Sequence, residues 1–364
     1  MKGKYRLVLL LLLSAGSLLS PVHATPIETD QCTPDTPGNC LDGVGPAVTN
    51  PDSIRVSSTQ ISRETGRRDQ RADESLALTG NGAIVGRSAG GSLAGWSLWT
   101  SYSHADFEAD LPINSVVQPI ASYDANQDSV LFGADRLIND KWLLGLALGY
   151  ENTDIDTAYN GGSNETDGFT VAPYAAYLIN NVFSIDTSAG YTTLNYETSR
   201  VDNVSGGLIT ADFDSDRWFA TANLNATVQR DRWLFGGRIG LLYTEETQDA
   251  HRETGPNTAR AIEERKLDLV QFVLGFDAAY SFGQIEPYAS FYYLNDLSRD
   301  DGVGAGGLPG NVGATQPDDD DEFQVGAGLR YFGSGVSASL EYNETFSRDR
   351  FDGNSVFLTF RLDL

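Results

Sequence analysis

Very short turns and long polar loops alternate along most of this chain, and that rhythm constrains its fold more than any single residue does. The short turns are Asn139-Asp140, Asn180-Asn181, Arg230-Asp231, Gly283-Gln284 and Gly333-Ser334-Gly335. Between them lie long loops such as 151–166, 197–216, 246–266 and 296–321. Runs of alternating apolar and polar residues connect every pair. Turns confined to one end and loops to the other describe strands that run up and down side by side. A sheet that spans lipid has to close on itself, because hydrocarbon offers an open edge no hydrogen-bond partner. The pattern therefore predicts an all-β chain, a transmembrane antiparallel β-barrel.

The alternation itself supports this. Over 141–151, Trp142, Leu144, Leu146, Leu148 and Tyr150 share one face, while Leu143, Gly145, Ala147, Gly149 and Glu151 share the other. The first set is an apolar stripe with an aromatic at each end, as membrane interfaces favour. Similar stripes contain Trp218 to Ala226, Trp233 to Tyr243, Phe272 to Tyr280 and Phe323 to Tyr331. A soluble β-sandwich also alternates, but it does not need aromatic ends on its apolar face or turns segregated to one end. About twelve strands are expected, at 94–104, 125–138, 141–153, 167–179, 182–196, 216–229, 232–246, 266–282, 284–296, 322–332, 335–346 and 354–364. The even count places both chain ends of the barrel on the side of the short turns, expected to be periplasmic, with the long loops outside. Pro173 falls inside the fourth strand and predicts a bulge there, since proline removes a ladder donor.

Mean hydropathy is only −0.27, which fits a barrel because every second strand residue turns away from lipid. The first residues predict a cleaved secretory signal over 1–24. Lys2, Lys4 and Arg6 precede the apolar Leu7–Leu13, and Val22-His23-Ala24 ends in a small residue. Removing those three cations takes the net charge from −25 to −28, which excludes nucleic acid as a partner. Cys32 and Cys40 stand close together after the signal, and oxidising conditions outside the cytoplasm predict a small disulfide loop rather than a metal site. Residues 25–53 are proline-rich and read as extended or disordered. Residues 54–76 lack proline and have helical potential. They carry Arg55, Arg63, Arg67, Arg68 and Arg71, the one basic cluster in an acidic protein. A Gly/Ser-rich linker follows, and 25–93 as a whole reads as a short passenger-like or linker segment.

Inward parity predicts a set of lumen-lining charges: Asp135, Asp186, Arg238, Asp277, Glu286, Arg330, Glu341 and Arg361. Such residues serve as a charge ladder that stiffens the barrel or as a selectivity ring in a pore. The run Asp318, Asp319, Asp320, Asp321 and Glu322 ends the longest loop and is a candidate for associating with surface cations. It lacks the spaced ligands and glycine of a calcium loop. A hydrolase needs a nucleophile, a base and an orienting group. After signal cleavage the sequence supplies only His104 and His251 as histidine bases, with no context that assembles a trio. No catalytic residue, metal or cofactor is expected.

Several segments in order resemble the autotransporter β-domain, the translocator of type V secretion. They are Leu131-Phe-Gly-Ala-Asp135 with Trp142–Tyr150, Phe183–Tyr191 with Arg200, Ile285–Phe291, Phe323–Leu329, and a terminal strand in which Val356, Leu358, Phe360, Leu362 and Leu364 alternate with Phe357, Thr359, Arg361 and Asp363. The resemblance covers about 94–364. It implies a monomeric twelve-stranded barrel in a Gram-negative outer membrane, contacting lipid, lipopolysaccharide and the barrel-assembly machinery. It also implies a helix in the pore, leading to an exported passenger. Residues 54–76 sit where that helix belongs, and their arginines would face Asp135, Asp186, Asp277 and Glu286. Only about 30 residues separate Ala24 from that helix, too few for a β-solenoid passenger. The cargo is then a short disulfide-looped peptide, a separate chain, or nothing, in which case the barrel is a channel or a surface-structural protein.

Overall fold

The computed structural model describes residues 95–112, 120–139, 141–157, 161–202, 205–256, 259, 261–300, 320–346 and 351–364. The signal at 1–24, the segment 25–93 with its expected helix, Cys32, Cys40, Asp318 and Asp319 lie outside the described residues. The strands are β1 (Trp96–Pro112), β2 (Ile120–Ile138), β3 (Trp142–Thr157), β4 (Gly162–Leu178), β5 (Phe183–Val201), β6 (Leu208–Arg230), β7 (Trp233–Gln248), β8 (His251–Arg252), β9 (Ala261–Ile262), β10 (Arg265–Tyr280), β11 (Ile285–Asp300), β12 (Asp321–Phe332), β13 (Val336–Phe346) and β14 (Phe351–Asp363). All but β8 and β9 form one closed antiparallel barrel of twelve strands in chain order. The seam between β1 and β14 runs unbroken from Ser97↔Asp363 to Ala109↔Phe351. Closure leaves no spanning edge unpaired. The small strands β8 and β9 pair with each other inside the β7–β10 loop.

Local chemistry makes the short turns. Asn139 and Asp231 adopt positive φ of 53° and 56°, which their short polar side chains tolerate. Between β4 and β5, Asn180 Oδ1 accepts the backbone N–H groups of Val182 and Phe183 at 2.9 and 3.0 Å.

On β3 the expected stripe, Trp142 to Tyr150, points outward, while Leu143, Ala147 and Glu151 are buried inside. Ring pairs gird the band at both ends. Trp142–Tyr177 and Trp233–Tyr280 mark the turn end, with centroids 4.6 and 5.0 Å apart. Tyr191–Trp218 marks the loop end at 4.5 Å. The outward tyrosines of the loop end share one device: each hydroxyl donates to a carboxylate. The pairs are Tyr102–Asp128, Tyr150–Asp167, Tyr191–Asp216, Tyr243–Glu245, Tyr293–Asp321 and Tyr342–Glu344. Carboxylates are expensive in hydrocarbon, so this ring marks where the lipid-facing band stops.

The strands continue past the ring. β1 runs to Pro112 rather than 104, β5 to Val201 rather than 196, and β6 begins at Leu208 rather than 216. Beyond the ring the alternation inverts. Phe107, Ala109, Ile209, Ala211 and Phe213 turn inward and are buried, while Glu108, Asp110, Asp212 and Asp214 face out. Above the membrane the outer face meets water and the inner face supplies the core, as in a soluble sheet. A search for apolar stripes ends each strand where that inversion begins.

The bulge expected at Pro173 is absent. The β4–β5 register is the same on both sides of it, from Val171↔Tyr191 to Tyr174↔Ser188, and only the pairs at Ala172 and Pro173 drop out. The β3 side keeps its partner, Leu146↔Pro173, so the missing donor lies toward β5 and costs only a local gap in the ladder. A register shift occurs instead between β10 and β11, where Val270 pairs with Ser298 and Gln271 with Asp296, leaving Leu297 as the extra residue.

Glycines make room for inward rings. A Cβ on Gly133 would lie 2.1 Å from the Trp99 indole, and one on Gly145 would lie 2.2 Å from the Tyr174 ring. Overpacking of this kind costs about 1–3 kcal/mol. Gly133→Leu is therefore expected to slow conversion to the compact, heat-modifiable gel form, and adding Trp99→Ala should recover it. Equal assembly of Gly133→Leu and wild type would contradict this packing.

Candidate functional site

Alternation dictates a polar inner wall, and barrel closure brings charges from distant strands together across it. At the turn end Trp99 Nε1 donates to Tyr174 Oη at 2.6 Å, and Tyr174 Oη donates to Asp135 Oδ2 at 2.8 Å. Arg361 Nη2 donates to the same carboxylate oxygen, and its Nε lies 3.6 Å from Asp363. One network thus joins β1, β4, β2 and β14. On the β5–β7 wall, Asn223 Nδ2 donates to Asp186 Oδ1 at 2.7 Å, and Asn225 donates to the other oxygen. Arg238 Nε donates to Asn225 Oδ1 at 2.9 Å. A third group spans β10 to β13. Arg330 pairs with Glu286 at 3.0 Å and approaches Asp277 at 4.0 Å. Its guanidinium lies 3.9 Å from the Tyr288 ring centroid, and Tyr288 Oη donates to Glu341 at 2.6 Å. A cavity of about 30 Å³ opens among Arg238, Asp277, Tyr288, Ser290, Arg330 and Glu341, room for about two waters. The eight inward charges read from the sequence thus fall into three groups.

A fourth group is the most deeply buried. Arg217 Nη1 donates to Glu151 at 2.6 Å and its Nε to Glu246 at 3.0 Å. Tyr196 Oη donates to the second Glu246 oxygen at 2.6 Å, and Ser215 Oγ adds a bond at 3.1 Å. The Arg217 and Glu246 side chains are 2% and 0% exposed. The alternation that turns Trp218 outward turns Arg217 inward, so parity locates this residue although nothing else in the sequence singles it out. Its partners come from β3 and β7, which parity does not specify.

Above the ring, Arg200 grips Glu253 through two hydrogen bonds of 2.9 and 2.8 Å. The His251 ring stacks on Phe213 with centroids 4.0 Å apart and 5° between planes, and Phe213 stacks on Tyr196 at 4.8 Å. Burial holds the His251 pKa below the ordinary histidine value, and nearby Arg265 pushes the same way. The Asp249 carbonyl and Glu253 oppose them. His104 lies on the outer face, 3.0 Å from Asp128 and 3.4 Å from Asp106. Its neighbour Ser103 points into the lumen toward Ser129, at 2.7 Å, so a serine–histidine pair does not assemble there. Asp321, from the acidic run, accepts Tyr293 Oη and Asn295 Nδ2, the latter at 2.8 Å. The Asp320 carbonyl accepts the Asp296 N–H.

The autotransporter β-domain family model matches residues 117–343. Outer membrane protein B of Rickettsia rickettsii is 25% identical over 199 residues, which cover 47% of this chain and 11% of that protein. The chain therefore spans about a tenth of the length of the curated relatives it matches. Among solved structures, the translocator domain of the autotransporter NalP from Neisseria meningitidis superposes with a TM-score of 0.63 at 12% identity, covering 85% of this chain and 97% of that one. The β-domain of the Bordetella autotransporter BrkA gives 0.56 at 17% identity, over 73% and 99%. The transport unit of AIDA-I from Escherichia coli gives 0.53 at 14%, over 83% and 99%. At these identities the structural likeness is one of fold.

Proposed function

Since this chain belongs to the autotransporter β-domain family, we propose that its barrel exports or displays a short N-terminal segment of its own, the residues that precede 54–76. It is an outer-membrane translocator barrel. The observation that carries the export reading is an inner wall lined with acidic and basic side chains, from the Asp135–Arg361 pair at the turn end to the Arg200–Glu253 pair above the ring. Such a wall suits a hydrated polypeptide and repels lipid. The wall carboxylates named above outnumber the arginines, which favours the basic segment 54–76 as a lumen occupant. In the same reading the short turns and β14 terminus are periplasmic and the long loops external. The barrel is a monomer in contact with lipopolysaccharide, and the run Asp318–Asp321 attracts surface cations. Barrels of this family meet membrane lipid and the assembly machinery. The translocator barrel is not itself an enzyme, and we read His104 and His251 as structural.

An epitope tag between Ala24 and Cys32 tests the reading in intact cells. Export predicts labelling from outside. A tag detected only after permeabilisation would leave the segment in the periplasm, and the barrel would then be read as a channel or structural protein. Added protease should cleave the 296–321 loop in intact cells. Cleavage only after the outer membrane is breached would overturn the orientation.

A further inference from the structure

Strand β6 outlasts its neighbour. Its pairing with β7 ends at Ser215↔Gln248, yet β6 begins at Leu208, so Leu208–Asp214 has no barrel strand along that flank. An exposed edge of this kind invites other extended chains. Here the chain leaving β7 continues alongside it. Asp249 N–H donates to the Asp214 carbonyl at 2.9 Å, and Thr210 and Thr254 exchange two backbone bonds of 2.9 and 2.8 Å. Between these points the strap carries more residues than β6 does, so it bulges and aims side chains inward. His251 lands on the ring of inward-facing Phe213, and Glu253 reaches Arg200 on β5, one strand farther along the wall. Gly255 ends the strap at φ +155°, where a Cβ would lie 2.8 Å from the Leu208 carbonyl oxygen.

We propose that Asp249–Gly255 is a latch on the inner wall of the loop-end mouth, which opens when a polypeptide passes through the lumen and then closes again. The proposal rests on the export reading for what opens it. The means of opening is in the strap itself. Among the described residues three backbone bonds tie it to β6 and a two-residue ladder joins His251 and Arg252 to β9, whereas the barrel strands carry long ladders on both sides. Segments so lightly held open locally without global unfolding. The ion pair suits reversal. Closed, Arg200 and Glu253 attract each other out of water, and opened, both are rehydrated, so Coulomb gain and desolvation largely offset each other.

Two measurements test it on the full chain. Hydrogen exchange on the purified barrel should be faster at the Thr210 and Thr254 amides than along the β3–β4 ladder. Glu253→Gln should speed it further without changing that ladder. Protection equal to the ladder, or no response to Glu253→Gln, overturns the latch whatever the fate of the N-terminal tag. Coupling to export is read by Thr210→Cys with Thr254→Cys in a Cys32→Ser, Cys40→Ser background, since an antiparallel pair holds its Cα atoms within disulfide reach. In pulse-labelled cells, chains that acquire this disulfide first should fail to expose the tag, and reductant should release them. Chains that carry the disulfide and later expose the tag would show that the strap is a fixed lining. If wild type never exposes the tag, the export reading has failed, and the exchange result alone decides whether the strap opens.

Discussion

Arg217→Ala is expected to destabilise the barrel by about 3–5 kcal/mol, the cost of leaving buried charge without its partner. The substitution strands Glu151 and Glu246, whose side chains are 3% and 0% exposed, and water cannot replace the guanidinium without opening the wall. Denaturant titration of the detergent-refolded barrel would show a lower midpoint. Arg217→Met with Glu151→Leu, Glu246→Leu and Tyr196→Phe should recover much of the loss, because an apolar cluster of similar volume needs no pairing and no buried Tyr196 hydroxyl is left without its acceptor. An Arg217→Ala midpoint equal to wild type would mean that the cluster does not tie β3, β6 and β7 together.

Leu146→Arg is the second large effect. Leu146 is 48% exposed and sits midway along the outward stripe between Trp142 and Tyr150. An arginine there meets hydrocarbon and is expected to cost about 2–4 kcal/mol. Leu208→Arg is the control. Leu208 is 59% exposed but lies beyond the tyrosine ring, at the far end of β6, so its change should leave folding into lipid vesicles nearly unaltered. Similar losses at both positions would place the edge of the hydrocarbon farther out than the ring does.

Much of the barrel was legible because its code is local. Each strand states its own period, and Asn180, Asp231 and Gly283 state where it turns. The strand limits toward the loops were less legible, since the outward stripe at Trp218 ends while β6 continues to Leu208 with its polarity reversed. A proline is local too, but its effect is not. Whether Pro173 forces a bulge depends on whether the register on the β5 side can skip two pairs, which it does.

The sequence by itself determined the closed up-and-down sheet and the side each residue of the membrane-spanning stretches faces, because a period of two and a short turn need no distant partner. Only the tertiary structure decided which charges meet. Arg217 finds Glu151 and Glu246, and Arg361 finds Asp135, because closure and register set the height of each strand against the others. Arg200 meets Glu253 for a different reason: β6 is longer than β7, and the chain leaving β7 runs on along that free edge.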